Sequence, residues 1–501
     1  MSIDHLALLP AYLAVLTAVG VFLADLAVPG RRGPVLTLAA LGCAGTAAAA
    51  WWVGHAGTVR RTFCTPVGCS YSADRTAAVV AVLFAVLTLA VLAFSGPLLR
   101  DGHDGDAPPG EYAFLLTCSL TGGVVLGAAR DLITLVVALE TLTLPLYALV
   151  ALRRKVVASA EAAVTFFIVS VVSTAVTLLG AALLYAATGT VHFGHLAEAL
   201  AAGPESAGPQ SSRLAPLVTV GAVLLLVGLG FKVAAVPLHA WAPATYDGAP
   251  LPVAAYLSTA SKLGGVVAIV LVTVGPLGPR LAVTGGVLAV LAALTMTVGN
   301  LVALRQRRMV RLLAWSSVAQ AGYILAPLGA FALAGGRAPE AVGVAVAATV
   351  GYAIFYVLLE LAAFGAVIAL RGADDGGRIA EYRGAARRSP WPAAVLVVAL
   401  AGLAGLPPGL AGLFAKVTVV RALLVNGVVW LAVLVALNAV VGLAYYLRVA
   451  ATLFGVPPAG PARRPAHWAV VVGLAAVAVA GLVVGFAPQL VLDAARLTLT
   501  P

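Results

Sequence analysis

The chain is a succession of long apolar runs separated by short polar stretches. A run of about 20 apolar residues is long enough to cross a bilayer as an α-helix. With that window, the pattern predicts fourteen membrane spans, at residues 6–28, 34–53, 76–99, 112–129, 131–152, 160–187, 215–245, 251–274, 281–304, 310–333, 341–370, 391–425, 427–453 and 466–487. The predicted fold is therefore an all-α polytopic membrane protein.

Two of the spans are interrupted by helix-breaking residues. In span 7, Pro237 follows Lys232 closely, and in span 12 the segment Gly405-Leu406-Pro407-Pro408-Gly409 precedes Lys416. Because proline lacks a backbone N–H and breaks a helix, each site would free backbone polar groups inside the bilayer. Spans 7 and 12 are predicted to be discontinuous helices whose breaks line a polar cavity or are buried in protein.

The order of lysine and proline differs between the two breaks. The lysine comes first in span 7 and the prolines come first in span 12, with five spans from one break to the other. An inverted-topology repeat would place discontinuous helices at corresponding positions of two halves in this way. The halves share no convincing sequence identity, so the reversed order alone favours a repeat.

The composition agrees with a membrane protein and argues against other classes. Of 501 residues, 62% are hydrophobic and 10% are charged, and the mean hydropathy is +1.06. No soluble core could bury this much apolar sequence. The net charge of +11 does not indicate nucleic-acid binding, because the arginines cluster in short loops without interleaved aromatic residues. No basic stretch precedes the first apolar run, which is expected to be a retained helix and not a cleaved signal peptide.

The distribution of lysine and arginine predicts the orientation of the spans. With the N-terminus outside, the cytoplasmic loops carry 18 of the 30 basic residues, the outer loops and ends carry 9, and three are lysines inside spans. Cytoplasmic loops usually hold the excess of basic residues. The count therefore favours fourteen spans with both termini on the outer side of the membrane.

The cysteines predict one disulfide and no cofactor. Cys64 and Cys69 lie in the second loop, which the charge count places outside, where a disulfide can persist. A metal site is disfavoured because these cysteines and nearby His55 are too few ligands. Cys43 and Cys118 lie in apolar spans and are expected to be buried thiols. No haem, flavin, dinucleotide or phosphate motif is present, so no cofactor or metal is expected in this chain.

Three lysines, Lys232, Lys262 and Lys416, lie inside apolar spans. An ammonium group near the bilayer centre costs about 2.5–3.5 kcal/mol on insertion scales, and such residues usually serve a function. Glu140 lies near the middle of span 5 and would be costly without a cation, so its predicted partner is Lys232. The pair could be a static ion pair, or it could take part in proton transfer if the carboxylate moves.

Lys262 and Lys416 have different surroundings in the sequence. Lys262 follows Ser258-Thr259-Ala260-Ser261, whose hydroxyls could hold waters that relay protons, whereas Lys416 has no acidic neighbour. Either lysine alone could instead extend its side chain to a membrane interface. Three intramembrane lysines, two of them beside helix breaks, favour a proton-transfer role.

Two further ionisable residues are additional candidates. His239 follows the first break, where a lone histidine is more often a hydrogen-bonded packing residue, although its chemistry suits proton transfer in a polar cavity. Glu360 lies within the apolar segment 356–361 and has no obvious partner. It is expected either to face a helix interface as a protonated acid or to extend a proton path.

Several groups of residues resemble the motifs of one family, the antiporter-like subunits of respiratory complex I. The matching segments occur in family order over most of the chain and are specific when taken together: Leu139–Tyr147, Gly230–Lys232, Pro237–Pro243, Tyr246–Pro250, Leu257–Lys262, Arg311–Ser317, Gly405–Pro408, Phe414–Lys416 and Tyr445–Arg448.

The resemblance implies fourteen helices in two inverted five-helix repeats, spans 4–8 and 9–13, with spans 7 and 12 discontinuous. The corresponding units are residues 1–110 with spans 1–3, 111–275 with the first half, 276–455 with the second half, and 456–501 with span 14. It also implies roles for four residues. Glu140 and Lys232 would be a modulating pair, Lys262 the central proton carrier, and Lys416 the residue that delivers protons to the far side.

The resemblance further implies a proton-translocating subunit of a bacterial cell-membrane complex that oxidises NADH and reduces quinone. The redox chemistry would take place in other subunits, which carry FMN and iron–sulfur clusters, and this chain would hold no redox centre. The expected partners are neighbouring antiporter-like and small membrane subunits together with the lipid bilayer, and not nucleic acid.

The chain departs from the family pattern at several positions. Thr165 stands where a lysine is usual in span 6, Ala244 stands where an aspartate is usual, with Asp247 three places later, and Gln320 occupies a position often held by histidine. Glutamine can position water but cannot titrate. Glu360 is outside the pattern, and we hypothesise that it compensates for Gln320 on the route through the second half.

Two alternative functions remain open on the sequence alone. Subunits of Mrp-type cation/proton antiporters share much of the pattern, so the chain could exchange sodium for protons without a redox partner. The chain could also be a structural subunit that seals a membrane arm without pumping.

Overall fold

The computed structural model describes residues 3–29, 31–55, 57–99, 107–153, 156–202, 209–372, 375–456 and 465–497. Helices make up most of these residues, as predicted. Several of the basic residues used to predict the orientation lie outside the described residues, and the position of the termini stays a prediction. These residues are Arg100, Arg154, Lys155, Arg463 and Arg464.

The helices are numbered in chain order. They are α1 Leu9–Ala27, α2 Arg32–His55, α3 Arg75–Phe94, α4 Pro109–Leu126, α5 Leu132–Val150, α6 Val157–Thr188, α7 Phe193–Ala202, α8 Pro209–Gly230, α9 Trp241–Gly248, α10 Leu251–Tyr256, α11 Lys262–Val274, α12 Leu281–Ala303, α13 Met309–Leu325, α14 Pro339–Arg371, α15 Ala385–Arg388, α16 Pro390–Ala404, α17 Leu410–Val425, α18 Val429–Phe454, α19 Trp468–Phe486 and α20 Gln489–Leu497. A π-helical turn, Leu257–Ser261, joins α10 to α11 in one continuous segment. Short 3₁₀ turns cover Gly278–Arg280, Ala326–Ala332, Ala334–Arg337 and Ile379–Tyr382.

Ten helical segments of the described chain are long and apolar enough to cross a membrane. Two shorter apolar helices, Pro216–Gly230 and Pro390–Ala404, belong to the spans predicted to be interrupted. Large apolar side chains are exposed on the outer faces of the bundle, among them Val172 on α6 and Val440 on α18. The structure agrees with a polytopic helical membrane protein, while the count of fourteen spans stays a prediction.

Span 7 is interrupted, as predicted. Residues 231–240, which contain Lys232 and Pro237, separate α8 from α9. A backbone group freed by the break has a partner from another helix, because the N–H of Val236 donates to Oγ1 of Thr295 on α12 at 2.9 Å. The break is therefore buried in protein, which is the condition for irregular backbone at membrane depth.

Span 12 is also interrupted, as predicted. Residues 405–409, which contain Pro407 and Pro408, separate α16 from α17. Gly405 has a φ of 85°, a left-handed conformation that glycine adopts without a steric penalty. α16 therefore ends abruptly, and its last carbonyl groups are available to side chains nearby.

Glycines bring α12 and α13 into close contact. A Cβ on Gly322 would lie 2.4 Å from the backbone nitrogen of Met296, and a Cβ on Gly299 would lie 2.5 Å from that of Ala319. Any larger residue at either position would force the two helices apart. Small residues of this kind allow the close backbone approach that is typical of helix pairs in membranes.

α14 is the most enclosed of the membrane-length segments in the described chain. It packs against α13, α16, α17, α19 and the π-helical turn. A helix that is apolar and buried on nearly all sides lies in the interior of a bundle. Polar side chains in the buried middle of α14 therefore face other protein elements and not lipid.

A β-hairpin between α2 and α3 was not predicted. Its strands are β1 Arg60–Thr65 and β2 Gly68–Ala73, and they pair antiparallel with Cys64 opposite Cys69. The predicted disulfide between these cysteines is confirmed. The hairpin is fixed to the α4–α5 connection, because the N–H of Ser72 donates to the carbonyl of Ala128 at 2.9 Å.

An arginine joins two separate segments at one end of the bundle. Nε of Arg308 donates to both carboxylate oxygens of Asp247 at 2.9 Å, and its Nη2 donates to Asp375 at 2.9 Å. Partial burial opposes the charge of Arg308, but the hydrogen bonds and the charge of Asp247 raise its pKa. Asp247, which is displaced from the family position, thus ties the end of α9 to the start of α13.

Candidate functional site

Glu140 and Lys232 form the predicted pair. Nζ of Lys232 donates to Oε1 of Glu140 at 2.9 Å and to Oγ1 of Thr143 at 3.0 Å. Thr174 on α6 also donates to Oε1 of Glu140, at 2.8 Å. The side chains of Lys232 and Glu140 are 6% and 24% exposed. One hydroxyl and the opposite charge therefore hold each charged group, which is how a buried ion pair becomes tolerable.

The local fold explains why these side chains meet. Glu140 and Thr143 lie three residues apart on α5 and so share one face of that helix. Lys232 lies just beyond the end of α8, where the break directs its side chain towards that face. A Cβ on Gly265 would lie 2.8 Å from Cβ of Lys232, so α11 approaches the break closely at this point.

Lys262 is almost completely buried, with 1% of its surface exposed. Its Nζ donates to the carbonyl oxygen of Ser317 on α13 at 2.5 Å. The hydroxyls of Ser258 and Thr259, which the sequence suggested as holders of water, both donate to the carbonyl of Ala255 within their own helix. Lys262 thus contacts α13 through its own hydrogen bond to Ser317, and the hydroxyls of Ser258 and Thr259 take no part in that contact.

Lys416 folds back onto the second break. Its Nζ donates to the carbonyl oxygens of Leu403 and Ala404 at 2.8 and 2.6 Å, and it lies 5.0 Å from the ring centre of Tyr323. The carbonyls are the free acceptors at the C-terminus of α16, where the helix dipole favours a cation. The break thus creates the binding place for this ammonium group.

A groove of about 680 Å³ opens beside Lys416. Its wall is formed mainly by apolar residues of α17 and α18, including Val417 and Val440, and Arg421 lies on the same wall. The apolar part of this wall is exposed in the isolated chain. Of the three intramembrane lysines, Lys416 is therefore the one beside an open surface.

Gln320 connects α13 to the surroundings of Lys416. Its Nε2 donates to the carbonyl of Leu403 at 3.0 Å and to the hydroxyl of Tyr446 at 3.1 Å, and its Oε1 accepts from Tyr352 at 2.7 Å. The Leu403 carbonyl is therefore shared by Gln320 and Lys416. An amide in this position links polar groups but cannot gain or lose a proton at ordinary pH.

A polar cluster that sequence reasoning missed lies between α12, α13 and α18. Nδ2 of Asn300 donates to the hydroxyl of Tyr323 at 2.9 Å and to Oδ1 of Asn438 at 3.2 Å, and its Oδ1 accepts from Tyr445 at 2.9 Å. The ring of Tyr323 in turn makes a cation–π contact with Nζ of Lys416. The sequence signal that could have found this cluster is the set of amides and tyrosines inside apolar spans.

Replacing Asn300 by leucine is expected to destabilise the chain by about 1–3 kcal/mol, because the buried hydroxyls of Tyr323 and Tyr445 lose a partner. The measurement is the thermal unfolding midpoint of the solubilised protein. Asn426→Leu is the matched control, since the buried amide of Asn426 donates only to the carbonyl of Ala422 within its own helix. Equal effects of the two substitutions would contradict the role given to the cluster.

The remaining candidates are placed as follows. His239 is half-buried beside the first break, where its ring meets Trp315 edge-on at 5.3 Å and its Nδ1 lies 3.2 Å from the carbonyl of Pro237. Within the described residues it has no hydrogen bond to an intramembrane lysine. Thr165 lies on α6 nine positions before Thr174. The residue of α6 that donates a hydrogen bond to Glu140 is Thr174.

Glu360 is fully buried on α14, and neither of its carboxyl oxygens has a hydrogen-bond partner among the described residues. Its charge interacts with that of Lys262. The described residues contain no group of three or more His, Cys, Asp or Glu side chains placed to hold a metal ion.

Comparison with known proteins agrees with this arrangement. The family described as NADH:quinone oxidoreductase/Mrp antiporter, TM, matches residues 129–442. A relative from Salinispora tropica named NADH-quinone oxidoreductase subunit N is 61% identical to the chain, and the similarity covers 99% of each sequence. The chain belongs to the subunit N family of NADH-quinone oxidoreductases. Within the resemblance to the antiporter-like subunits, lysine at position 262 and lysine in place of glutamate at position 416 are typical of subunit N.

Solved structures show the same fold. A chain of respiratory complex I from Thermus thermophilus with bound Aureothin matches with a TM-score of 0.76 and 30% identity, covering 97% of this chain and 98% of that chain. A chain of the Mrp complex from Dietzia sp. matches with a TM-score of 0.82 and 22% identity, covering 98% and 97%. At 22% identity, the likeness to the Mrp chain concerns the fold alone. The sequence identities of this subunit N family member are higher to the complex I chain and to the subunit N relative.

Proposed function

We propose that this chain is a proton-translocating subunit in the membrane arm of NADH-quinone oxidoreductase. Oxidation of NADH and reduction of quinone take place in partner subunits that carry FMN and iron–sulfur clusters, and this chain holds no redox centre. The observation that carries the proposal is the series of ionisable groups kept inside an apolar bundle, each with its own polar partners. Chains rarely keep such residues within a membrane without a function.

The first step is the modulation of Lys232 by Glu140. The carboxylate stabilises the ammonium group at 2.9 Å, and Thr143 and Thr174 hold the two in place. If a change in the partner subunits draws Glu140 away, Lys232 loses the charge that compensates its own and releases a proton. Lys262 receives that proton and is the central carrier.

The last step is delivery by Lys416. The polar groups that connect Lys262 to Lys416 lie along α13, where Ser317 accepts from Lys262 and Gln320 shares the Leu403 carbonyl with Lys416. The groove beside Lys416 gives this residue, and not the other two lysines, an opening to the surroundings. His239 is an additional proton-transfer candidate at the first break, where it has no direct contact with the series.

The architecture that accompanies this function has fourteen spans, with spans 4–8 and 9–13 as inverted five-helix repeats. The two interrupted helices and their reversed order of lysine and proline support it. The units are residues 1–110, 111–275, 276–455 and 456–501, in a bacterial cell membrane with both termini on the outer side.

Purification of the tagged chain from its native host in mild detergent tests the proposal. Co-elution with subunits that carry flavin and iron–sulfur clusters and oxidise NADH is the expected result, followed by NADH-driven proton uptake when the complex is placed in liposomes. Elution without a redox activity, together with sodium-dependent proton exchange, would select the Mrp-type alternative. If the chain co-elutes with the redox subunits but complexes that carry substitutions of the intramembrane lysines still pump normally, the structural-subunit alternative is selected.

A further inference from the structure

Glu360 is the buried ionisable group that the proposed route leaves unused. It lies on the enclosed helix α14 with 0% of its surface exposed, and both carboxyl oxygens lack hydrogen-bond partners among the described residues. An isolated carboxylate in an apolar interior is strongly unfavourable, whereas a neutral acid or a carboxylate with a cation is tolerated. The position therefore requires either a bound proton or a cation close by.

Lys262 is the candidate for that cation. Its ammonium group lies near enough for its charge to act on Glu360, but the described residues show neither an ion pair nor a hydrogen bond between the two, and its one hydrogen bond there goes to the carbonyl of Ser317. An ammonium group has three N–H donors. Lys262 therefore has donors to spare, and Glu360 has acceptors to spare.

Tyr356 fixes α14 against both elements that hold Lys262. Its hydroxyl donates to the carbonyl of Ser258 at 2.8 Å and lies 2.7 Å from Oγ of Ser317. Ser258 belongs to the π-helical turn that ends just before Lys262, and such turns often occur at functional sites. Because Glu360 follows Tyr356 by one turn on the same face of α14, its carboxyl group is held beside the Lys262 site.

The two carboxyl groups of the site differ in their support. Glu140 accepts hydrogen bonds from Lys232 and Thr174, whereas Glu360 accepts none from the described residues. A buried ion pair with additional hydrogen bonds tends to stay charged, and a pair without them has no such advantage over its neutral form. Glu360 and Lys262 are therefore suited to exchange, and Glu140 and Lys232 are suited to modulation.

We propose that Glu360 exchanges a proton with Lys262, and this inference rests on the proposed function. When the two side chains approach to hydrogen-bond distance, one N–H bond of the Lys262 ammonium group breaks and one O–H bond forms on a carboxylate oxygen of Glu360, so that a charged pair becomes an amine and a carboxylic acid. The reverse step loads Lys262 again. The total charge of the pair is the same before and after, so no isolated charge is left in the apolar interior.

This exchange supplies a titrating group where Gln320 cannot act as one. Tyr352, Tyr356 and Glu360 follow each other at four-residue spacing on α14, and so share one face of the helix. Tyr352 binds Gln320 and Tyr356 binds Ser317, so this face follows α13 along the route. Glu360 stands at the end of that stripe where Lys262 is located.

The test is Glu360→Gln in the complete complex reconstituted into liposomes, with NADH-driven proton uptake as the measurement. Loss of the acid is expected to lower the proton uptake rate by about a hundredfold or more, in the range for removal of a proton-transfer group. Glu340→Gln is the matched control, because Glu340 lies exposed in the first turn of the same helix. It should pump like the unchanged protein.

A second measurement detects the proton itself. Infrared difference spectra of the complex during turnover are expected to contain a carboxylic-acid carbonyl band that shifts in Glu360→Asp and is absent in Glu360→Gln. A merely structural role for Glu360 would leave no such band. If Glu360→Gln does not assemble, the spectra of the unchanged and Glu360→Asp complexes decide the question, and a missing band overturns the proposal.

The outcomes separate this inference from the proposed function. Normal proton uptake in Glu360→Gln together with lost uptake in Lys262→Ala would overturn the exchange and leave the pumping function in place. Normal uptake in both variants would overturn both. Loss in both variants, with the infrared band assigned to Glu360, supports the exchange.

Discussion

Replacing Lys262 by alanine is expected to abolish NADH-driven proton translocation by the assembled complex. Lys262 is 1% exposed, and its Nζ donates to the carbonyl oxygen of Ser317 at 2.5 Å. It therefore links the start of α11 to α13. Without it, the series lacks its basic carrier between Lys232 and Lys416, and Glu360 loses the lysine with which it would exchange a proton. We expect a loss of at least about a hundredfold in the pumping rate, measured with a pH-sensitive dye in liposomes.

Two control variants distinguish a proton-carrying role of Lys262 from a role of its positive charge alone. Lys262→Arg keeps a positive charge that cannot be released in a protein, so it should also fail to pump if Lys262 is a carrier. Arg337→Ala removes an exposed cation from the loop before α14 and should have no effect. NADH oxidation with an artificial electron acceptor should stay intact in all three variants. Undiminished pumping in Lys262→Ala would make the carrier assignment wrong.

The helix breaks and the first ion pair could be predicted because their signals are local and costly. Pro237 and the pair Pro407-Pro408 disfavour a continuing helix and stand close to intramembrane lysines, so both interruptions could be predicted from the sequence. Glu140 in an apolar span requires a cation, and Lys232 was the candidate beside a break. The structure confirms the pair at 2.9 Å, and adds that Thr174 completes it.

The second half of the site could not be predicted, because its contacts join distant segments. Tyr446 meets Gln320 across 126 positions of the sequence, and Asn438 meets Asn300 across 138. A tyrosine or an asparagine in an apolar span gives no indication of its partner. Only the four-residue spacing of Tyr352, Tyr356 and Glu360 could have revealed a polar face on α14 beforehand.

Two local structures also escaped prediction. The π-helical turn at Leu257–Ser261 could not be predicted, since it occurs inside a span whose pattern indicates one continuous helix. The hairpin of β1 and β2 is short and lies in a loop, where the sequence indicated only the disulfide. The turn matters more for function, because it ends just before Lys262 and its Ser258 carbonyl accepts a hydrogen bond from Tyr356 on α14.

Replacing Glu140 by glutamine is expected to stop coupled proton translocation as completely as replacing Lys232 by methionine. Each substitution removes the charge of one partner in a pair whose Nζ and Oε1 atoms lie 2.9 Å apart. Without its carboxylate, Lys232 loses the group that shifts its proton affinity. Without its lysine, Glu140 has no proton carrier whose affinity it could shift. The measurement is proton uptake per NADH oxidised by the reconstituted complex.

The double variant separates a modulating pair from a static one. Loss of one partner leaves the other charge unpaired, which destabilises a buried pair by about 3–5 kcal/mol. Glu140→Gln combined with Lys232→Met removes both charges, so the thermal midpoint of the complex should recover most of the loss while pumping stays absent. A static pair predicts that pumping returns together with stability, and that result would contradict the modulating role.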